Sequence, residues 1–355
     1  MSVNLDPPLL DGLAEPSLSA FDHLTRGAPA PYWLYRGVCA NWGLEHERVD
    51  LTLITVSENA TFLLELDGEP IGAVRVSHPG YVGGPSAINS EIAWINAIRL
   101  QVAEVRVLTV VPSPRGNYVC VIKDNAGTGW ICVSTKFVNG TVLEDLPDPS
   151  AYYETIGRWS ALLHNHARGW ELPYGFRRFA WDTSDIVGPS ARWGRWEASK
   201  LSTEEAALLG AAQFKALQAM QSYPKNPYTW GLIHADLRAS NVLADGDQLT
   251  VIDFDDSGFG YYLWDYAAAL SFLTQEPYGP AMAKAWIKGY QQVTALNEQE
   301  IEVASALTML RKLQLLGWLC HHREDALPPG LAAAQTAGAV VVADRYLTAS
   351  TWLLD

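Results

Sequence analysis

The sequence predicts an α+β protein of two lobes: an N-terminal antiparallel β-sheet lobe with one key helix, and a larger, mainly α-helical C-terminal lobe. Three observations predict it. From Asp50 to Val138 apolar residues recur with a period of two, as in half-buried strands. Beyond Val138-Asn139-Gly140 the period becomes helical. A chain of 355 residues also exceeds what one small core organises. We divide it into a lead-in (1–30), an N-lobe (31–138) and a C-lobe (139–355), with a hinge near Thr135–Gly140.

Hydrophobic residues make up 48% of the chain and charged residues 18%, the balance of a folded protein rather than a disordered one. The formal charge of −14 argues against a nucleic-acid partner, which needs fields of Lys and Arg, and favours small or cationic substrates. Cys39, Cys120, Cys132 and Cys320 have no metal-ligand spacing and read as buried thiols of a reducing compartment. The N-terminal stretch has neither a basic nor an apolar signal region, and no apolar run reaches membrane-spanning length. The expectation is a soluble cytoplasmic protein without a membrane partner.

Within the lead-in, a helix is expected near Ser17–Leu24. Leu51–Val56, Ala60–Leu66 and Ile71–Val76 read as three strands, turning at Ser57-Glu58-Asn59 and Asp67-Gly68. A helix follows from Ser86, a suitable N-cap, with Ile88, Ile92, Ile95 and Ile98 on one stripe. Glu91 falls inside that stripe. A carboxylate aimed at a core is costly unless paired, and Arg75 in the third strand is the partner at hand. Val105–Val111, Tyr118–Ile122 and Trp130–Val138 complete the sheet.

In the second half, Asp148-Pro149 starts a helix with Tyr152, Ile156, Trp159, Leu163 and His166 on its inner side. His164 and His166 are two apart and do not share a helix face, which argues against a metal pair. The aromatics of 167–230 read mainly as packing, and that segment ends with a helix over Thr203–Tyr223. Thr229–Ile233 and Leu249–Ile252 read as strands, with Asp245-Gly246-Asp247 as the turn between them. A helix begins at Trp264–Leu273. Another, over Ile301–His322, is apolar almost all round and therefore buried, with His321-His322 at its solvated end.

The chemistry sits between the two short strands. His234-Ala235-Asp236, with Asn241 five residues after Asp236, precedes a strand ending in Asp253. Phosphoryl transfer needs an in-line acceptor, neutralised phosphate charge and a place for the acceptor's proton. Asp236 suits the proton. Asn241 and Asp253 suit Mg²⁺, which binds through one or two oxygen ligands plus the substrate's phosphates. Arg75 is expected at the nucleotide phosphates, held by Glu91. Asp255 and Arg238 are candidates for a second metal or the acceptor, and His234 is structural.

These residues resemble the aminoglycoside phosphotransferase/choline kinase-like family, and more narrowly its homoserine kinase type II-like branch. The likeness rests on Leu232–Leu237 with Asn241 and on Ile252-Asp253-Phe254-Asp255-Asp256. Val74–Tyr81, Ser90-Glu91, Leu162-Leu163-His164, Trp193–Trp196 and Phe259–Asp265 strengthen it. The resemblance spans roughly residues 50–320. It implies a bilobal protein-kinase-like fold that uses ATP and Mg²⁺ to phosphorylate a small-molecule hydroxyl. It also implies that the first turn, with Ser57 and Asn59, lies over the nucleotide, and that 167–230 walls the acceptor pocket. Two positions depart from the pattern: Arg75 replaces the usual Lys, and Ala235 a common Gly, the latter expected to matter little. Acceptors open at this stage are an aminoglycoside, an amino-alcohol, an amino acid such as homoserine, or a sugar. A stress-response protein kinase is disfavoured by the short span from Asp253 to Trp264, and a non-catalytic nucleotide-binding module by the presence of Asp236, Asn241 and Asp253 together.

Overall fold

The computed structural model describes residues 18, 20–21, 23–80, 83–321 and 330–354. Tyr81 and His322, and Ser17, Ser19 and Asp22 of the expected first helix, lie outside them. Around those positions Ala20, Phe21 and His23 sit in turns rather than a helix.

β1 (Val49–Val56), β2 (Ala60–Leu66) and β3 (Glu69–Ser77) form the expected antiparallel meander. β6 (Gly129–Lys136) pairs with the far edge of β3. The opposite edge of β6 is shared by β4 (Val110–Val111) and β5 (Val119–Lys123). Strand alternation turns Val74 and Val76 into the core and leaves Arg75, between them, on the other face. The segment expected as a strand from Val105 pairs only at its end. Val105 still closes a turn onto Val102 after the helix, and Val107 makes one isolated bridge to Val251.

The sheet's first face is covered by α1 (Tyr32–Trp42), an element not anticipated from the sequence. Phe21 of the lead-in is fully buried there against Phe62 and Trp130. α2 (Gly84–Gln101) places its isoleucine stripe in the larger core shared with the helical lobe. Its cap is Gly83, at φ 86°, with Pro85 in the first turn; Ser86 is already helical, and its carbonyl accepts from the Ser90 hydroxyl.

In the helical lobe, β7 (Thr141–Val142), β10 (Val242–Asp245) and β11 (Gln248–Val251) make one small sheet. β8 (Ala180–Trp181), β9 (Trp230–Ile233) and β12 (Gly258–Tyr261) make another. The Asp245-Gly246-Asp247 turn therefore joins β10 to β11, while the strand before His234 pairs with β12 instead. Strands of four residues leave too short a pattern for sequence periodicity to resolve.

α3 (Tyr153–Gly169) crosses α7 (Gly279–Gln291) at backbone contact. A Cβ at Gly157 would meet the Trp286 carbonyl at 2.0 Å, and one at Gly289 would meet the Glu154 carbonyl at 1.8 Å. On α3 Ile156, Trp159 and Leu163 face inward as expected, but the inward histidine is His164, fully buried, not His166, which is half-buried and faces Gln101 and Trp94 of α2. Among the cysteines, Cys320 is exposed and the other three are buried.

α4 (Thr183–Val187), α5 (Thr203–Gln221), α6 (Trp264–Ala269), α8 (Glu298–His321) and α9 (Leu331–Thr348) complete the lobe. α5 is closed by a capping box between Ser202 and Glu205. α8 is buried as expected, yet it carries Arg311, Lys312 and Gln314 inside. The Lys312 ammonium donates to Gln275 Oε1 (2.8 Å) and Gln335 Oε1 (2.6 Å), neutral acceptors that replace water but do not cancel the charge. Burial pulls its pKa down to about 8.

Because the unfolded lysine titrates at ~10.4, the penalty of the charged form is fully present below about pH 8 and disappears as pH rises to the unfolded pKa. Wild-type stability, measured against Lys312→Met by denaturant unfolding, should therefore improve by on the order of 3 kcal/mol from pH 7 to pH 10.5. A constant difference across that range would show that Lys312 is not depressed.

Candidate active site

The loop after β9 is held from behind by a carboxylate. Asp265, fully buried on α6, accepts the backbone N–H of Ala235 at 2.7 Å and of His234 at 3.3 Å. It also accepts from His164 Nε2 at 2.9 Å, while the Tyr290 hydroxyl donates to His164 Nδ1 at 3.0 Å. Burial holds the His164 imidazole below its ordinary pKa, so it serves as a neutral donor. Ala235 has φ +68°, a left-handed conformation that a Cβ disfavours by about 1–2 kcal/mol. The replacement of Gly at this position thus carries a cost that the two Asp265 bonds oppose.

His234 is buried, and its ring spans the site. Nε2 donates to the Ile252 carbonyl (3.2 Å), Nδ1 accepts from the Asp236 N–H (3.3 Å), and Phe254 packs at 4.5 Å. It ties the two loops together.

The Asp236 carboxylate is gripped at both oxygens. Oδ2 accepts from Asn241 Nδ2 at 2.8 Å and Arg238 Nε at 3.1 Å, and Oδ1 accepts from Arg311 at 2.6 Å. Asn241 Nδ2 also reaches the Asp236 carbonyl at 2.8 Å, so the amide nitrogen is committed to Asp236, while its oxygen accepts only a long bond from the Ser240 hydroxyl at 3.5 Å. Arg238 is thus a partner of Asp236 in this structure, and its guanidinium lies 5.5 Å from the Phe272 ring.

Asp253, at φ +60°, is solvent-accessible but closely surrounded by protein. Restricted solvation, with Asp255 next in effect, pushes its pKa well above the usual carboxylate range. Asp256 is raised likewise by burial and then by Asp255, Asp236 and Glu58. The carboxylates outnumber nearby cations, so this part of the site favours an incoming positive charge.

Arg75 and Glu91 meet as the sequence predicts, at 2.8 Å to Oε1 and 3.0 Å to Oε2. Burial opposes the Arg75 charge, but Glu91, Asp255 and Asp253 outweigh it and hold the guanidinium protonated. Its Nε has no hydrogen-bond partner among the described residues. Glu91 is only 3% exposed and also lies 3.7 Å from Arg178, a fully buried guanidinium that donates to the carbonyls of Ser257, Ala87 and Asp255.

The first turn lies against the helical lobe. Asn59 differs from the expected nucleotide contact: its side chain is buried, donating to Asp255 Oδ2 at 2.7 Å and accepting from Ser77. Asp255 is correspondingly occupied on that side. Ser57 is exposed, with its N–H turned back onto the Asn59 carbonyl. Glu58 reaches across to accept from Trp318 Nε1 on α8 at 2.8 Å.

Sequence reasoning passed over Arg178, Asp265 as the loop's anchor, and Arg311. Asp265 stood within a recognised stretch, but its role needs the fold. A basic residue on an otherwise apolar helix was the available signal for Arg311.

An antiparallel sheet lobe over a helical lobe, with a carboxylate loop and an Arg–Glu pair between them, defines a phosphotransferase of the protein-kinase-like fold. The chain belongs to the phosphotransferase enzyme family, whose model matches residues 54–302. It is an ATP-dependent kinase acting on a small-molecule hydroxyl. A solved microcompartment-associated aminopropanol kinase is 34% identical, with a TM-score of 0.81 over 91% of this chain and 99% of that one. The amicoumacin kinase of Bacillus subtilis (strain 168) is 22% identical over 291 residues, 79% of this chain and 82% of that protein. A homoserine kinase of Neisseria meningitidis serogroup B (strain ATCC BAA-335 / MC58) is 35% identical over 104 residues, 28% of this chain and 33% of that protein. No helix among the described residues is long and apolar enough to cross a membrane.

Asp265→Ala would leave the His164 donor and two loop N–H groups without their acceptor. A stability loss of about 3–5 kcal/mol is expected from breaking such a buried set. Denaturant unfolding of the variant checks it, and a loss below about 1 kcal/mol would contradict the anchoring role.

Proposed function

We propose that the chain transfers the γ-phosphoryl group of Mg-ATP to the hydroxyl of a small amino-alcohol. The carrying observation is the fixed Asp236 carboxylate beside a surplus of acidic side chains. Asp236 accepts, or orients, the proton of the acceptor hydroxyl. Asn241 and Asp253 supply oxygen ligands for the divalent ion. Among the described residues no three or more His, Cys, Asp or Glu side chains are grouped to hold a metal. Two protein ligands with water and phosphate completing the shell suit Mg²⁺. When bound, the ion neutralises phosphate charge.

Arg75 contacts the nucleotide phosphates, and Glu91, itself beside Arg178, keeps it in place. In this reading Ser57 stays near the nucleotide, while Asn59 locks the turn to Asp255. The acceptor's ammonium group pairs with Asp256, because Asp255 is already engaged by Asn59. The likeness to an aminopropanol kinase over nearly the whole chain supports that acceptor class. The wall of the pocket falls in 167–230, where Trp181 donates to the Asp256 carbonyl at 2.8 Å.

The test is an ADP-release screen of amino-alcohols, hydroxy amino acids, aminoglycosides, sugars and neutral diols. Aminopropanols should lead, and Asp256→Asn should raise their KM about tenfold or more while sparing neutral diols. A sugar or neutral diol at the top would reject the cationic acceptor. Asp236→Ala should abolish turnover with nucleotide binding largely retained, whereas Asp253→Ala should weaken metal-dependent nucleotide binding. The opposite pattern would exchange the two roles.

A further inference from the structure

We propose that Arg311 is a positioning residue for the phosphoryl-transfer base, fixing the plane of the Asp236 carboxylate from a helix 75 residues away in sequence. This rests on the reading of Asp236 given above. Arg311 lies beyond the stretch 54–302 that the family model matches.

Its guanidinium is held at every nitrogen. Nε donates to the Ser271 hydroxyl at 2.9 Å, one terminal nitrogen to Gln314 Oε1 at 2.9 Å, and the other to Asp236 Oδ1 at 2.6 Å. The group also lies 5.7 Å from the ring of Trp264. Trp264 stacks on Trp181 at 5.3 Å, which stacks on Trp193 at 5.6 Å. A three-tryptophan ladder therefore sets the height of the guanidinium, while Ser271 and Gln314 set its rotation.

With Oδ1 pinned from α8, and Oδ2 pinned by Arg238 and Asn241, rotation of the carboxylate would break hydrogen bonds at both oxygens. Orientation is thus fixed before substrate arrives, which is where positioning contributes to rate. Stability alone is a weak reason for the arrangement. Desolvating an arginine to 6% exposure for a partner that solvent still reaches returns little net energy compared with an apolar side chain. The fork geometry is specific to Arg, since Lys offers a point charge without two fixed directions.

Full-length Arg311→Met, Arg311→Lys, Ser271→Ala and Asp236→Asn would be assayed with ATP and the acceptor that leads the screen. Thermal midpoints and nucleotide affinity would be measured alongside. Arg311→Met should lower kcat on the order of 100-fold with both KM values little changed, the loss expected for a misplaced reacting group. Added guanidinium chloride at low millimolar concentration should restore part of that kcat. Arg311→Lys should fall between, and Ser271→Ala should show a smaller fall in kcat of the same kind. An unchanged kcat in Arg311→Met overturns the proposal. So does a raised acceptor KM with kcat kept, which would make Arg311 an acceptor contact. If Arg311→Met does not fold, unchanged kcat in both Arg311→Lys and Ser271→Ala overturns it equally. Full activity in Asp236→Asn would instead remove the underlying assignment of the base, a result separable from the others.

Discussion

Everything at the centre depends on the carboxylate of Asp265 accepting two consecutive backbone N–H groups. A loop that carries a reactive carboxylate cannot be held by strand pairing, because its residues leave the ladder at Ile233. Buried N–H groups without partners are costly, and here one side chain satisfies both. The same carboxylate is in turn satisfied by His164, and His164 by Tyr290. The result is a fully bonded polar chain through an apolar interior, the condition under which such networks stiffen a structure.

Upon that support, the site sorts its charges by environment. Arg75, Arg178 and Arg311 are all largely removed from solvent and all face carboxylates or carbonyl groups. Asp253 and Asp256 sit where carboxylates exceed cations, and restricted solvation, followed by the neighbouring Asp255, raises their proton affinity. The arginines act as fixed scaffolding. The acidic positions are left to be completed by what binds.

Long elements were legible in the sequence because their patterns are long. Three strands of the meander, the helix with Glu91 on its apolar stripe, and the His234–Asn241 loop followed by Asp253 all fall within a residue or two of expectation. The Arg75–Glu91 pair followed from one argument, the cost of an unpaired buried carboxylate. What escaped was short or long-range. Strands such as Gly258–Tyr261 are too brief to show a period, and Ser86 gave way as a cap to the left-handed Gly83. No local signal tells that Asn59 meets Asp255, or that Arg311 meets Asp236, because those meetings are made by the packing of two lobes.

The close crossing of α3 and α7 has a consequence far from where it occurs. Gly157 stands seven residues before His164 on one helix, and Gly289 directly precedes Tyr290 on the other. The separation of the two axes, set by two absent methyl groups, is therefore the gauge that brings the Tyr290 hydroxyl within 3.0 Å of the imidazole. Widening that gauge by one side chain would draw His164 away from Asp265, and Asp265 away from the loop. The calibration of this active site thus resides partly in two residues that have no side chain and never approach the substrate.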